Sequence, residues 1–144
     1  MASYNVQSLF IFFAIFSLLG GGIASLYFKR LDTSAKYWTV ATILWGITGM
    51  ATVFRNELPP LWSYSIPIGV NSASFVLMGL GLVRLYKPAP QWPSFVLLGA
   101  ATVAYTVTLE LCRVHAGPKV TLVLSGLAFG LSSIWSAYPA HVHF

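Results

Sequence analysis

Charged side chains are scarce in this 144-residue chain. Only 8% of the residues are Asp, Glu, Lys or Arg and 57% are hydrophobic, whereas a soluble domain carries roughly 25% charged residues. So few charges cannot cover the surface of a soluble domain, and lipid must cover most of it. The length allows one domain over residues 1–144. We therefore expect an all-α integral membrane protein with little mass outside the bilayer.

Residue patterns typical of catalysis and metal binding are also missing. The sequence holds no Gly-rich phosphate loop, no HExxH motif and no Ser/His/Asp set. Its one cysteine, Cys112, excludes an internal disulfide and has no ligand partner at metal-site spacing. His141 and His143 alternate, but they lack the third ligand that a zinc site needs. We expect no catalysis, no cofactor and no metal site in this chain.

Basic residues outnumber acidic ones, eight to three, but they form no basic patch. They lie at the ends of apolar runs, where they set membrane topology and meet phospholipid head groups. A nucleic-acid-binding protein needs a basic patch or a recognised motif. We therefore expect the lipid bilayer as a partner and no nucleic acid.

What the sequence does hold is five apolar runs. A helix crosses a hydrocarbon core of ~30 Å with about 20 residues, at ~1.5 Å per residue. The runs cover about residues 6–28, 37–54, 61–85, 94–112 and 120–138. The links after the first and third runs hold five Lys or Arg, and those after the second and fourth hold three. Because short cytoplasmic loops are enriched in Lys and Arg, we predict an outside N-terminus and a cytoplasmic C-terminus.

Small and polar residues within the runs predict how the helices pack. Gly20–Gly22 is followed by Ala24 and Ser25, and small residues four apart permit close helix contact in lipid. Pro67 should kink or loosen the third span. Asn71 lies one turn further in, and we expect it to be the most buried polar side chain, facing the bundle in an interhelical hydrogen bond.

Ionisable residues on the predicted outer side are the candidates for a ligand site. They would form one polar cluster if spans two to four are neighbours: Arg55, Glu57, Glu110, Arg113 and His115. Ionisable groups near the membrane often mark a ligand or ion site. They also often mark only the point where a helix leaves the bilayer, and the sequence leaves both interpretations open.

The second and third spans and the turn between them carry a recognisable pattern. Trp38 near the start of a helix is followed by small residues at helical spacing, and the turn is Phe54-Arg55-Asn-Glu-Leu58-Pro59. The next helix has an early serine, Ser63 or Ser65, and then Asn71. Over about residues 26–93 this pattern resembles the N-terminal multi-helix membrane sensor region of bacterial GGDEF-type diguanylate cyclases.

The resemblance implies a sensor in the bacterial cytoplasmic (inner) membrane. A stimulus would favour one packing of the bundle and move the last helix, and with it a cytoplasmic GGDEF output domain in a homodimer. In this scheme Arg55 anchors the outer turn, Asn71 holds helices together and Pro67 is a flexible point. Such sensors usually have more than five helices, and the GGDEF motif does not occur in these 144 residues. The chain is then either part of a split or truncated cyclase or a free-standing sensor-like protein.

Two other function classes stay open. A small dimeric transporter or half-transporter of the drug/metabolite type would have five spans per unit, although proton-coupled carriers need an acid well inside the membrane. Glu110 lies near the end of its span, and the first span holds no acid. An accessory subunit that packs against a partner protein is the third class.

Overall fold

The computed structural model of the protein describes residues 6–86 and 92–142, and within these ranges it contains helices and turns but no strand. The elements are α1 (Val6–Leu26), a 3-10 turn (Phe28–Arg30), α2 (Thr33–Val53), a π-helical turn (Leu61–Ser65), α3 (Ile66–Tyr86), α4 (Trp92–His115) and α5 (Pro118–Val142). The all-α fold class predicted from composition is confirmed.

Three helical segments are long and apolar enough to cross a membrane: Gln7–Leu26, Leu61–Tyr86 and Phe95–His115. The apolar stretch of α5, Lys119–Ser132, is shorter. α2 is less apolar, and it packs against α1 and also against α3. Because neighbouring helices cover much of its surface, α2 can carry more small and polar residues than a helix that faces outward.

The start of α2 corrects the sequence-based boundary. Apolar patterning predicts a span from residue 37, but α2 begins at Thr33. The Asp32 side chain accepts a hydrogen bond from the backbone N–H of Ala35 at 2.6 Å, which caps the helix. Capping residues are polar, so hydropathy alone assigns this first turn to the preceding link.

α3 is the central helix of the bundle. It contacts α2, α4 and α5, whereas α1 packs mainly against α2. Large apolar side chains on the outer helices face away from the protein, as at Leu26 of α1, which is 80% exposed, and Leu97 of α4, which is 73% exposed. This arrangement suits a bundle whose outer helices meet lipid.

The helices alternate in direction, which gives the bundle two distinct ends. At one, called here the Arg55 end, α1 begins, α2 ends and α3 begins; Gln7 Nε2 of α1 donates a 3.4 Å hydrogen bond to the Val53 carbonyl of α2. At the other, the Ser34 end, α2 begins and α3 ends. There Ser34 Oγ donates a 2.8 Å hydrogen bond to the Gly81 carbonyl of α3.

Glycine permits the close approach of α1 to α2. A Cβ added to Gly21 would lie 2.6 Å from Ile43 Cγ1, and one added to Gly46 would lie 2.6 Å from Leu18 Cγ and 3.1 Å from its backbone nitrogen. The two glycines that flank Gly21 have no such neighbour within 4 Å. The small residues of α1 therefore do make a close helix contact, as predicted, through Gly21.

α2 packs closely on α3 near the Ser34 end, where a Cβ added to Gly81 would lie 3.4 Å from the Ser34 carbonyl oxygen. Tyr37, Ala41 and Leu77 form a fully or almost fully buried core there. The Tyr37 ring also stacks on Phe95 of α4, with the ring centroids 4.7 Å apart. Stacked aromatic pairs add about 0.5–1.5 kcal/mol beyond their buried area, so this core joins three helices firmly.

A π-helical turn opens the third span at the opposite end. Pro67 has no backbone N–H and cannot bond the Ser63 carbonyl, and its ring would crowd that carbonyl in a regular helix. The backbone widens instead, and the N–H of Ile66 bonds the Leu61 carbonyl. The prediction that Pro67 loosens this span is confirmed, and the loosened turn is Leu61–Ser65.

Replacing Gly46 with Ala should destabilise the bundle. The new methyl group would press on the Leu18 side chain and backbone, and overpacking costs roughly 1–3 kcal/mol. Gly22→Ala is the matched control, because it meets no atom within 4 Å and replaces a helical glycine, which favours folding by about 0.5–1 kcal/mol. The measurement is reversible unfolding of each purified variant in mixed micelles, followed by circular dichroism. Equal stability of the two variants would contradict the close α1–α2 contact.

Candidate functional site

Glu110 is the best-anchored ionisable group at the Arg55 end. Its carboxylate accepts two hydrogen bonds from Arg113, from Nη2 to Oε1 at 2.5 Å and from Nε to Oε2 at 2.9 Å. Ser65, which is fully buried, donates a third bond to Oε2 at 2.6 Å. Two-point pairing of arginine with a carboxylate is both strong and geometrically specific. This group therefore joins α4 to the π-helical turn.

The π-helical turn explains why Ser65 reaches Glu110. Ser65 is the last residue of the widened turn and is the only residue in that turn that is fully buried. The sequence pattern offers Ser63 or Ser65 as the early serine, and the structure assigns the interhelical contact to Ser65. Apolar periodicity could not make this choice, because a π turn changes which side chains face the bundle.

Arg55 and Arg113 line one open cleft of about 700 Å³ at this end. The same cleft is lined by Tyr64 from the π turn, Pro67 from α3 and Leu122 from α5. Within the described residues, Arg55 makes no ion pair, and Arg113 pairs with Glu110 alone. The mouth of the cleft thus carries one uncompensated guanidinium beside one that is neutralised by its partner.

The other two members of the predicted polar cluster lie apart from this cleft. Glu57 and His115 are both exposed, and neither lines it. Glu57 follows Arg55 in the turn after α2, and His115 is the last residue of α4. Of the five predicted residues, the structure therefore brings together Arg55, Arg113 and Glu110.

A second cavity, of about 280 Å³, lies further along the bundle toward the middle of α2 and α3, and its lining residues Phe10 and Phe13 are themselves exposed. Its wall is largely aromatic: Phe13 packs edge-on against Trp45 with centroids 5.6 Å apart, and Trp45 packs edge-on against Phe75 at 5.1 Å. Asn71 adds a carboxamide to this apolar wall. Pockets that combine aromatic walls with a few placed polar groups are typical of small-molecule sites.

The position of Asn71 corrects the sequence prediction. Asn71 is half-buried rather than the most buried polar residue; Ser65, Ser74 and Thr121 are fully buried instead. In the described part of the chain, its side chain makes no hydrogen bond across helices, so the expected interhelical bond is not found there. A carboxamide without protein partners is left facing the cavity.

The two cavities are parts of one cleft, called here the Arg55 cleft. Thr52, Pro67 and Ile68 line both of them. The path leads from the two arginines at the mouth, along Pro67, to the aromatic wall around Trp45. Sequence reasoning missed the aromatic end, because Trp45 and Phe75 stand in apolar runs where rings usually serve packing.

The described residues include no group of three or more His, Cys, Asp or Glu side chains placed to hold a metal ion. Comparison of the chain with protein-family models, curated proteins and solved structures finds no match.

Removing the Ser65 hydroxyl should weaken the contact between the π turn and α4. Ser65→Ala leaves Glu110 with one partner fewer, and a hydrogen bond to a charged group contributes roughly 1.5–3 kcal/mol. We expect a loss of about 1–2 kcal/mol in the free energy of unfolding, since Glu110 is 24% exposed. Ser125→Ala is the control, because Ser125 bonds only the Leu122 carbonyl of its own helix.

A double-mutant cycle then tests that the effect comes from this pair. Ser65→Ala and Glu110→Gln should be coupled by about 0.5–3 kcal/mol, as residues in direct contact usually are. Strictly additive losses in unfolding free energy would mean that Ser65 and Glu110 do not interact in the folded protein.

Proposed function

We propose that this chain is a membrane-embedded sensory module that relays a stimulus to a cytoplasmic output domain, in the manner of the input region of a diguanylate cyclase. In this proposal all five helices span a bacterial cytoplasmic membrane, the N-terminus lies outside and the C-terminus lies in the cytoplasm. The chain itself performs no catalysis. The output would be a GGDEF domain, which acts as a dimer.

The observation that supports this proposal is the central position of α3. It lines the Arg55 cleft through Pro67 and Asn71 at one end, and it contacts both α4 and α5. A ligand or other stimulus that changes the packing of α3 therefore acts on α5, the last helix. The hairpin of α2 and α3 is also the part of the chain that resembles the sensor region.

The proposed mechanism is a shift between two packings of the bundle. The Ser34 end stays fixed through the Tyr37 core, while the π turn before Pro67 lets the start of α3 move. π turns are often found at functional sites for this reason. The sequence-based scheme has Arg55 anchor the turn between α2 and α3, but among the described residues its exposed side chain makes no ion pair and instead lines the cleft. Asn71 lines the cavity where a change in packing would be felt.

In this proposal two copies of the chain pair through an exposed face of α5. Gly126 and Gly130 are exposed, and nothing lies within 4 Å of a Cβ added to either. Faces of this kind let helices approach closely in membranes. A homodimer paired through α5 would place two output domains side by side.

The transporter alternative has less support. A proton-coupled carrier needs an acid that can bind and release protons within the membrane. Glu110 is held by Arg113 and Ser65 instead. Proton flux driven by substrate in vesicles that contain the purified chain would favour the carrier over the sensor.

The test is a fusion of residues 1–144 to a diguanylate cyclase catalytic domain, expressed in bacteria that lack their own cyclases. Gly69→Ala changes the contact of α3 with α4, because the new Cβ would lie 3.3 Å from Thr106 Cβ and closer still to its hydroxyl. Overpacking of roughly 1–3 kcal/mol is enough to shift a two-state equilibrium. We expect cyclic di-GMP to change by at least about threefold at equal protein level.

Gly99→Ala on α4 is the matched control, because nothing lies within 4 Å of a Cβ built there. Its cyclic di-GMP level should equal that of the unaltered fusion. The sensor proposal fails if Gly69→Ala changes the unfolding midpoint of the protein but leaves cyclic di-GMP at the control level.

A further inference from the structure

The Arg55 cleft joins two chemically different halves. At its mouth, Arg113 uses two N–H groups to bind Glu110, and a guanidinium has five, so three remain to bind a ligand. Arg55 adds a second guanidinium that makes no ion pair within the described residues. The mouth of the cleft is therefore suited to an anionic group, and planar guanidinium groups bind carboxylates and phosphates at two points.

The aromatic half is suited to an apolar body. The edge-on rings of Phe13, Trp45 and Phe75 form its wall, and Pro67 and Ile68 continue this apolar surface toward the mouth. Buried apolar surface stabilises a bound group by about 25 cal/mol per Å². Three polar residues also line this half: Thr48, Thr52 and Asn71. The two threonine hydroxyls bond backbone carbonyls of α2, whereas the Asn71 carboxamide makes no hydrogen bond among the described residues and can bind a polar atom partway along a ligand.

We propose that the Arg55 cleft binds a single-chain amphipathic carboxylate, with its carboxylate at Arg55 and Arg113 and its apolar chain against Trp45. If the chain is the proposed sensor, this carboxylate is its stimulus. Only that signalling effect rests on the proposed function, because binding of the carboxylate can be measured alone. A free inorganic anion would leave the aromatic end unused. An uncharged apolar molecule would leave the Arg55 guanidinium without an anionic partner among the described residues.

A phospholipid is a poorer fit to the same cleft. It carries two acyl chains, whereas the cavity around Trp45 holds about 280 Å³ between α1, α2 and α3. It also lies permanently in the bilayer, so its concentration would carry no signal. A medium-chain fatty acid reaches the site from water or from the membrane and varies in concentration.

The test uses the full chain in nanodiscs of phosphatidylcholine with 8-bromooctanoate as the probe. Bromine quenches tryptophan fluorescence on contact, so binding beside Trp45 should give a saturable loss of emission. Probe dissolved in the bilayer also quenches tryptophan fluorescence, but this background quenching does not saturate. Trp45→Phe should remove the saturable part and leave the background.

The contribution of the Arg55 charge to binding is tested with two matched arginine substitutions. Arg55→Gln should weaken binding of 8-bromooctanoate by about tenfold or more, because a charge-assisted bond is lost. Arg30→Gln is the control; Arg30 is exposed at the Ser34 end, far along the bundle from the cleft. Both arginines are exposed, so neither substitution should unfold the protein, which is to be checked by circular dichroism.

The outcomes separate cleanly. Saturable quenching that Arg55→Gln weakens and Arg30→Gln preserves supports the site. Quenching that never saturates, or that 8-bromooctanol produces with equal affinity, overturns it. Binding without a change in cyclic di-GMP from the fusion on adding octanoate would keep the site and reject its ligand as the stimulus, and the Gly69→Ala fusion then decides on the sensor separately. A fusion that responds to packing variants while octanoate does not bind would keep the sensor and reject this ligand.

Discussion

The packing of α2 on α3 near the Ser34 end holds the rest of the bundle in place. Ser34 bonds the Gly81 carbonyl directly, and the buried Tyr37 ring joins α2 to α4 through Phe95. In a membrane the hydrophobic effect does not drive helices together, so close van der Waals contact and hydrogen bonds between helices must do so. This contact therefore fixes α3, and α4 and α5 pack on α3 in turn.

The Arg55 end is built differently. Pro67 prevents regular helical bonding, so α3 starts with a widened turn, and the Arg55 cleft opens beside it. The ion pair of Glu110 and Arg113, with the bond from Ser65, is the main polar link between that turn and α4. The Ser34 end holds the buried Tyr37 core beside a cavity of about 440 Å³ between α1 and α2, and the Arg55 end holds the two cavities of the Arg55 cleft. In the proposed mechanism, a ligand in the cleft acts on the Arg55 end, where the widened turn precedes α3.

Much of the fold follows from the sequence, because apolar runs indicate where helices lie and proline indicates where regular helical hydrogen bonding is interrupted. The all-α class, the loosened turn before Pro67 and the close contact at the Gly20–Gly22 stretch are all predictable. The start of α2 is not, because Asp32 and Thr33 belong to a polar cap that hydropathy assigns to a link.

The candidate site is predictable only in part. Charge and spacing predict Arg55, Glu110 and Arg113 at one end, and in the structure Arg55 and Arg113 line one cleft while Glu110 pairs with Arg113. Whether Glu57 and His115 line the cleft depends on the direction of their side chains at the helix ends, which composition does not determine. The aromatic wall is not predictable, because Trp45 lies on α2 and Phe75 on α3. Only the packing of these helices with α1 shows that the two rings line one cavity.

Hydrogen–deuterium exchange of the backbone amides in nanodiscs tests the central claim, that the bundle is fixed at the Ser34 end and able to open at the Arg55 end. Local opening, rather than global unfolding, governs exchange in weakly held segments. The account predicts that amides in the π turn, residues 61–65, exchange at least about tenfold faster than those of residues 73–81, where α3 packs on α2. Equal protection of both segments would show that α3 is held rigidly along its whole length, and would contradict the account.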